Sequence, residues 1–288
     1  ILKRGDNHYL TAFHNYRFMT EVAIHKNLRL SVTAFHNNIE SAHTGLFPMG
    51  FVTNRTIQSK FKDAGLEVGL RFTPNRRVYG FGVQQRFGRF RFPTTALHFK
   101  MGTSGILNGD FEYKQLQFLQ NYPLRLSKFG ILDATIEAGK SFDRVPLPLL
   151  FPVPANQTFS LEKNTFALLN YYDYITDQYL NAHFEHHFNG LIMNRLPLLK
   201  KLNLRLLATF RVAYGTLSDF YKDFLITNLE LQAPDENPYY EYGIGLENLG
   251  LGQVRFFRLD LIWRGPHRSL NGPQSPELGF RLSVRPTF

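Results

Sequence analysis

Two-residue alternation dominates this chain. In residues 278–288, Leu278, Phe280, Leu282, Val284 and Phe288 fall on one parity and Gly279, Arg281, Ser283 and Arg285 on the other. Successive side chains of a β-strand point to opposite faces, so such a segment carries one greasy and one cationic face. The longest example sets Leu202, Leu204, Leu206, Ala208, Phe210, Val212 and Tyr214 against Asn203, Arg205, Leu207, Thr209, Arg211 and Ala213, a length that crosses a bilayer at a tilt. Hydrocarbon offers the backbone no water, so strands cross it only where a closed sheet pairs every polar group.

The same reading sends Leu66, Val68, Leu70 and Phe72 outward against Glu67, Gly69 and Arg71, and Leu97, Phe99 and Met101 outward against His98 and Lys100. Leu132, Ala134, Ile136 and Ala138 oppose Asp133, Thr135, Glu137 and Gly139. Tyr240, Tyr242, Ile244 and Leu246 oppose Glu241, Gly243, Gly245 and Glu247, and Phe257, Leu259, Leu261 and Trp263 oppose Arg258, Asp260 and Arg264. Weaker runs at 8–17, 18–26, 28–38, 110–121, 164–171 and 177–188 bring the expectation to about twelve strands. Tight links at His25 to Asn27, Tyr122 to Pro123 and Gly250 to Gln253 read as periplasmic turns. Ile39 to Lys62, Phe142 to Asn164, Gly215 to Pro238 and Gly265 to Pro276 read as long extracellular loops. The expected fold is all-β: one antiparallel transmembrane β-barrel over residues 1–288.

Other classes fall away on composition. No apolar run reaches the roughly 18 to 20 residues of a spanning helix, and the most apolar stretch, Val145 to Ala155, holds Pro146, Pro148, Pro152 and Pro154. The chain has no cysteine, which removes disulfide scaffolds and thiolate chemistry. A net charge of +10 suggests an anionic partner, but the basic residues are scattered among strands and do not form a nucleic-acid patch. A start at Ile1-Leu2-Lys3-Arg4 lacks both an initiator Met and a signal peptide, so a processed chain or fragment is expected. A soluble sandwich would alternate too, with the apolar parity inside, but spans near ten residues, aromatics at strand ends and arginines on the opposite parity favour the membrane. Phe280, Leu282, Val284 and Phe288 form a C-terminal barrel-assembly signal, interrupted at Pro286.

His183, Glu185 and His187 share a parity, but alternate residues lie about 6.5–7 Å apart, so a metal there needs a ligand from another strand. A polar network is the expected role. The expected inward set comprises Arg71, Glu137, His183, Glu185, Arg205, Arg211, Arg258, Asp260, Arg281 and Arg285, with Arg29, Lys100, Arg264, Glu67 and Asp133 on the same side. It is mixed in sign with a cationic excess, which points to a salt-bridged lumen, or to anion preference in an open pore. His267-Arg268-Ser269 is a His-x-Ser triplet in an expected loop, and no Gly-x-Ser-x-Gly elbow occurs. Arg76-Arg77-Val78-Tyr79-Gly80-Phe81-Gly82 loosely resembles the Arg-Gly-aromatic loop motif of barrel-assembly proteins, but too many strands follow it, and it reads as a turn.

The stretch Tyr179-Leu180-Asn181-Ala182-His183-Phe184-Glu185-His186-His187-Phe188-Asn189-Gly190, followed by Leu196-Pro197-Leu198-Leu199-Lys200-Lys201-Leu202, resembles a segment of large Bacteroidota outer-membrane proteins. Those proteins join an N-terminal carboxypeptidase-regulatory-like domain to a C-terminal barrel of unknown function. Gly245-Leu246-Glu247-Asn248, Phe257-Arg258-Leu259-Asp260 and the 279–288 ending fit the same family, and the likeness covers most of Ala64 to Phe288. It implies the barrel end of a larger product and brings no activity with it. The functional expectation is an integral outer-membrane scaffold, docking or passage component that contacts lipid, lipopolysaccharide and other envelope proteins. It includes no cofactor, metal, nucleic acid or catalysis. The alternatives are an anion-preferring pore, an outer-membrane enzyme and a barrel-insertion factor.

Overall fold

The computed structural model describes residues 9–42, 49–53, 56–75, 78–79, 86–87, 92–105, 108–158, 160–251, 254–271 and 273–284. Eleven strands form its main sheet: β1 (Thr11–His25), β2 (Leu28–Ser41), β3 (Lys60–Phe72), β4 (Thr94–Gly102), β5 (Tyr113–Arg125), β6 (Ile131–Ser141), β7 (Gln178–Asn189), β8 (Arg205–Thr216), β9 (Tyr239–Leu251), β10 (Val254–Arg264) and β11 (Leu278–Val284). Each pairs antiparallel with its sequence neighbour, so the sheet is one meander from β1 to β11. Among the described residues no ladder joins β1 to β11.

The strands lie where the alternation put them, with informative exceptions. Residues 8–17 and 18–26 are one strand, β1, because the ladder to β2 runs unbroken from Thr11↔Ser41 to Ala23↔Arg29. Tyr122 to Pro123 is no turn: both lie in β5 and pair with β6 as Tyr122↔Ala134 and Pro123↔Asp133, and the chain reverses instead around Ser127–Phe129. Residues 164–171 form no sheet strand. They belong to the connection from β6 to β7, where Ala155 and Phe166 make a lone parallel bridge. These corrections reduce about twelve strands to eleven. Arg285 and Phe288, and most of the segment from Arg76 to Gly82, lie outside the described residues.

Two cross-strand pairs set a tyrosine ring over a glycine, Gly102↔Tyr113 and Gly139↔Tyr179. A Cβ on either glycine would fall 2.2 Å or 2.4 Å from the ring, so only glycine lets the rings lie flat on the inner wall. The connections at one end include Lys26–Asn27 and the link from β9 to β10. At the other, residues 42–59, 142–177, 217–238 and 265–277 make long excursions, and the buried hydrophobic clusters lie among these and the inner face.

Candidate functional site

One face of the sheet is apolar and open. Tyr242, Ile244, Phe280, Leu282 and Val284 are exposed, as are Leu66, Leu70, Leu97, Leu180 and Phe210, all on the parity expected to face outward. Glu241, Arg258, Asp260 and Arg281, on the opposite parity, are at most 2% exposed. Burying ionised groups while leaving leucine and phenylalanine bare is favourable only where the medium outside is apolar and the groups inside pair.

What buries the charges is the connection from β6 to β7. It stays out of the main sheet, its only ladder among the described residues being Phe151–Pro152 against its own Ile175–Thr176, and it turns back onto the inner face of β7–β11. There Phe166, Ala167 and Leu168 are fully buried. Glu241 on β9 grips the loop backbone: its carboxylate accepts the Ala167 N–H at 2.8 Å and the Leu168 N–H at 2.7 Å. It also accepts the Tyr239 hydroxyl at 2.8 Å and Arg211 Nη1 at 3.3 Å. Arg281 on β11 grips the loop from the other side, donating to the carbonyls of Ala167 and Asn156. A carboxylate on two amides and a guanidinium on two carbonyls thus form a charged clamp on one loop. Below it, Leu168 packs onto Gly279, where a Cβ would lie 2.4 Å from Leu168 Cδ2.

A second cluster spans β7, β9 and β10. Arg258 donates from Nε to both Asp260 oxygens, at 2.9 Å and 2.7 Å, and sets Nη1 2.8 Å from Glu185 Oε1. His187 lies between carboxylates, Nε2 3.1 Å from Glu185 and Nδ1 2.9 Å from Glu247. Glu185, His187 and Glu247 offer ligand atoms within 4.8 Å of one another, so the third ligand not evident in sequence is Glu247. The Arg258 guanidinium already pairs with Glu185, so one of these three side chains is shared with a fixed cation. His183 does not join: its ring faces Phe166 at 5.0 Å, and neither ring nitrogen has a hydrogen-bond partner among the described residues.

A third network crosses the sheet from β1 to β5. Asn15 donates to Asn37, and Asn37 to Asp63. Asp63 also accepts Lys100 Nζ at 3.0 Å and the Tyr113 hydroxyl at 2.6 Å. Between this network and the gripped loop lies an open cavity of about 700 Å³, lined by Arg71, His98, Glu137, Lys163 and Tyr179 among others. Glu137 accepts Asn164 Nδ2 at 3.0 Å, and Arg205 stands opposite Glu247 in the β8–β9 register.

The long connections also tie to each other. Asp173 accepts Ser269 Oγ at 2.5 Å and His267 Nε2 at 3.2 Å, while the Tyr174 hydroxyl meets His267 Nδ1 at 2.9 Å. Asp173 therefore stands between serine and histidine, so the imidazole is not placed to take the Ser269 proton as a nucleophile's base must. Asn271 Nδ2 donates to the Tyr172 and Glu230 carbonyls, and Gln232 Nε2 to the Asp173 carbonyl. Residues 142–177, 217–238 and 265–277 are stitched into one cap.

Parity alone places Glu241 and Glu247 inward, yet their roles were not legible because their partners are a loop backbone and a histidine two strands away. Asp173 carried no local signal.

These features define a β-barrel-type sheet with an inward-folded, clamped loop. The chain belongs to the family of unknown function DUF5686, whose C-terminal domain matches residues 8–246. No curated protein matches the sequence. Among solved structures, BamA from Haemophilus ducreyi lacking POTRA domains 1–3 superposes with a TM-score of 0.53 at 13% identity, over 94% of this chain and 53% of that one. The likeness is one of fold: an eleven-stranded antiparallel sheet resembling the BamA barrel. This chain spans about half the length of that BamA chain.

Proposed function

We propose that this chain is an integral outer-membrane β-barrel, closed to free diffusion by residues 142–177, that serves as a scaffold or docking component of a larger envelope assembly. The observation that carries the reading is the clamp: Glu241 and Arg281 hold one loop from opposite sides in a fully buried setting. A wall built for conduction leaves its charges to water and ions. Here they are spent on a loop backbone and on each other. The bare apolar face contacts lipid and the acyl chains of lipopolysaccharide, and the stitched cap is a rigid surface on which other envelope proteins dock. Asp173 between Ser269 and His267 supports a structural role for that triplet over catalysis.

The test is conductance in a planar bilayer. Intact protein gives no steady current, and a variant lacking residues 150–172 conducts with anion preference, weakened by Arg281→Glu. Steady current through the intact protein refutes the plug and favours the pore reading. Purification from outer membranes under mild detergent, followed by identification of stable companions, tests the docking role, which fails if the protein is recovered alone at every detergent strength.

A further inference from the structure

We propose that the sheet is closed by an odd number of additional antiparallel strands inserted between β1 and β11, contributed by the part of the same polypeptide that precedes Ile1. The inference rests on the membrane reading above and deepens it. In a meander of eleven antiparallel strands the first and last run in the same direction. Direct pairing of β1 with β11 would be parallel, whereas bacterial barrels close antiparallel. Only an odd number of intervening strands restores alternation.

Among the described residues the outer edge of β1 carries no ladder, and that edge is long. β1 has 15 residues, which at about 3.4 Å each and a 45° tilt reach about 35 Å along the membrane normal, more than the roughly 30 Å hydrocarbon core. An open edge of that height facing lipid is not tolerated. Its inner apolar side chains are also left bare: Phe13 is 52% and Met19 64% exposed, while Phe35 and Ile39, on the same face one strand along, are 1% exposed. Burial on the inner face thus stops at β1 as though the wall continued.

A second copy does not fit. Two copies related by an axis along the membrane normal would set β11 of one beside β1 of the other, again parallel. The missing strands precede the chain because sequential strands pair side by side and because the matched family segment is itself a C-terminal domain.

The chain has no cysteine, so an introduced pair reads cleanly. Thr20→Cys with Leu282→Cys, made in the complete gene product and oxidised in native outer membranes, forms no disulfide within a chain or between differently tagged chains. Backbone amides of β1 that do not bond β2 exchange at least about 100-fold more slowly there than in residues 1–288 alone in detergent. A disulfide within one chain, a disulfide between two chains, or equal exchange rates each overturns the proposal. Heat-modifiable migration is scored on the same samples. Its loss in a freely water-soluble protein sinks the membrane reading along with the closure, whereas a heat-modifiable, membrane-resident protein with a fast-exchanging β1 edge sinks the closure alone.

Discussion

Replacing Glu241 by alanine removes the acceptor for two buried amides, one buried hydroxyl and one guanidinium. Each buried donor left without a partner costs about 1–3 kcal/mol, and removing one member of a buried ion pair about 3–5 kcal/mol. These costs do not accumulate in full, because the loop has an escape: it leaves the wall and lets water reach the orphaned donors. The penalty therefore falls on the equilibrium between seated and released loop and is limited to about 4 kcal/mol, close to a 1000-fold rise in the released population. Hydrogen exchange at Ala167 and Leu168, followed by mass spectrometry, reads that population directly. Glu241→Ala should cut protection there by about three orders of magnitude while the amides of β2 and β3 keep theirs. Glu241→Gln, which keeps one acceptor oxygen but loses the charge, should fall between. A loss of less than tenfold at these amides in a folded Glu241→Ala protein would refute the clamp.

Other perturbations test separate parts of the argument. Arg281→Met should free the loop on its Asn156 side, seen as protease nicking within residues 150–172 of an otherwise intact barrel, and unchanged nicking would count against the guanidinium's role. Asp63→Asn weakens one ion pair and the Tyr113 bond without emptying the site, so it should lower the unfolding temperature in detergent by several degrees, or about 1–3 kcal/mol. Asp173→Ala should unstitch the cap and raise exchange in residues 265–271, and protection equal to wild type would show that Asn271 and Gln232 suffice. Burial first, and the Asp173 carboxylate second, push the Tyr174 phenol up to about 12, above the ordinary value near 10. Its contribution is whole below about pH 10 and lost as pH rises to about 12. The cap should loosen across that window, and Tyr174→Phe should lack the step.

How much was legible follows from what each signal reports. Parity reports which medium a side chain faces, so it placed Arg211, Glu241, Arg258 and Asp260 inward and Phe210, Tyr242 and Phe280 outward without reference to contacts. It does not tell lipid from a dry protein interior. Phe166 and Leu168 alternate like a wall strand, but their apolar partners are Tyr239, Ile262 and Gly279 inside the sheet, so the alternation in 164–171 marks a buried loop and not a strand. The run from Leu202 also begins too early: Leu202 and Asn203 lie in the turn before β8, where Asn203 takes a left-handed φ of 52°. Partners were the least legible level. Charge on Arg281 predicts a carboxylate, and the structure gives it loop carbonyls, one of them 114 residues away. Asp173 meets Ser269 across 96 residues, beyond any local pattern.

That separation has a consequence for biogenesis. The loop is synthesised long before Ser269, Asn271 and Arg281, and a growing polypeptide waits for its final hairpin before the fastening is complete. Seating of the loop is thereby made a late event, conditional on the far end having arrived. A product cut short before β11 would lack Arg281 and leave its loop held from one side only, so the fastening depends on the far end being present.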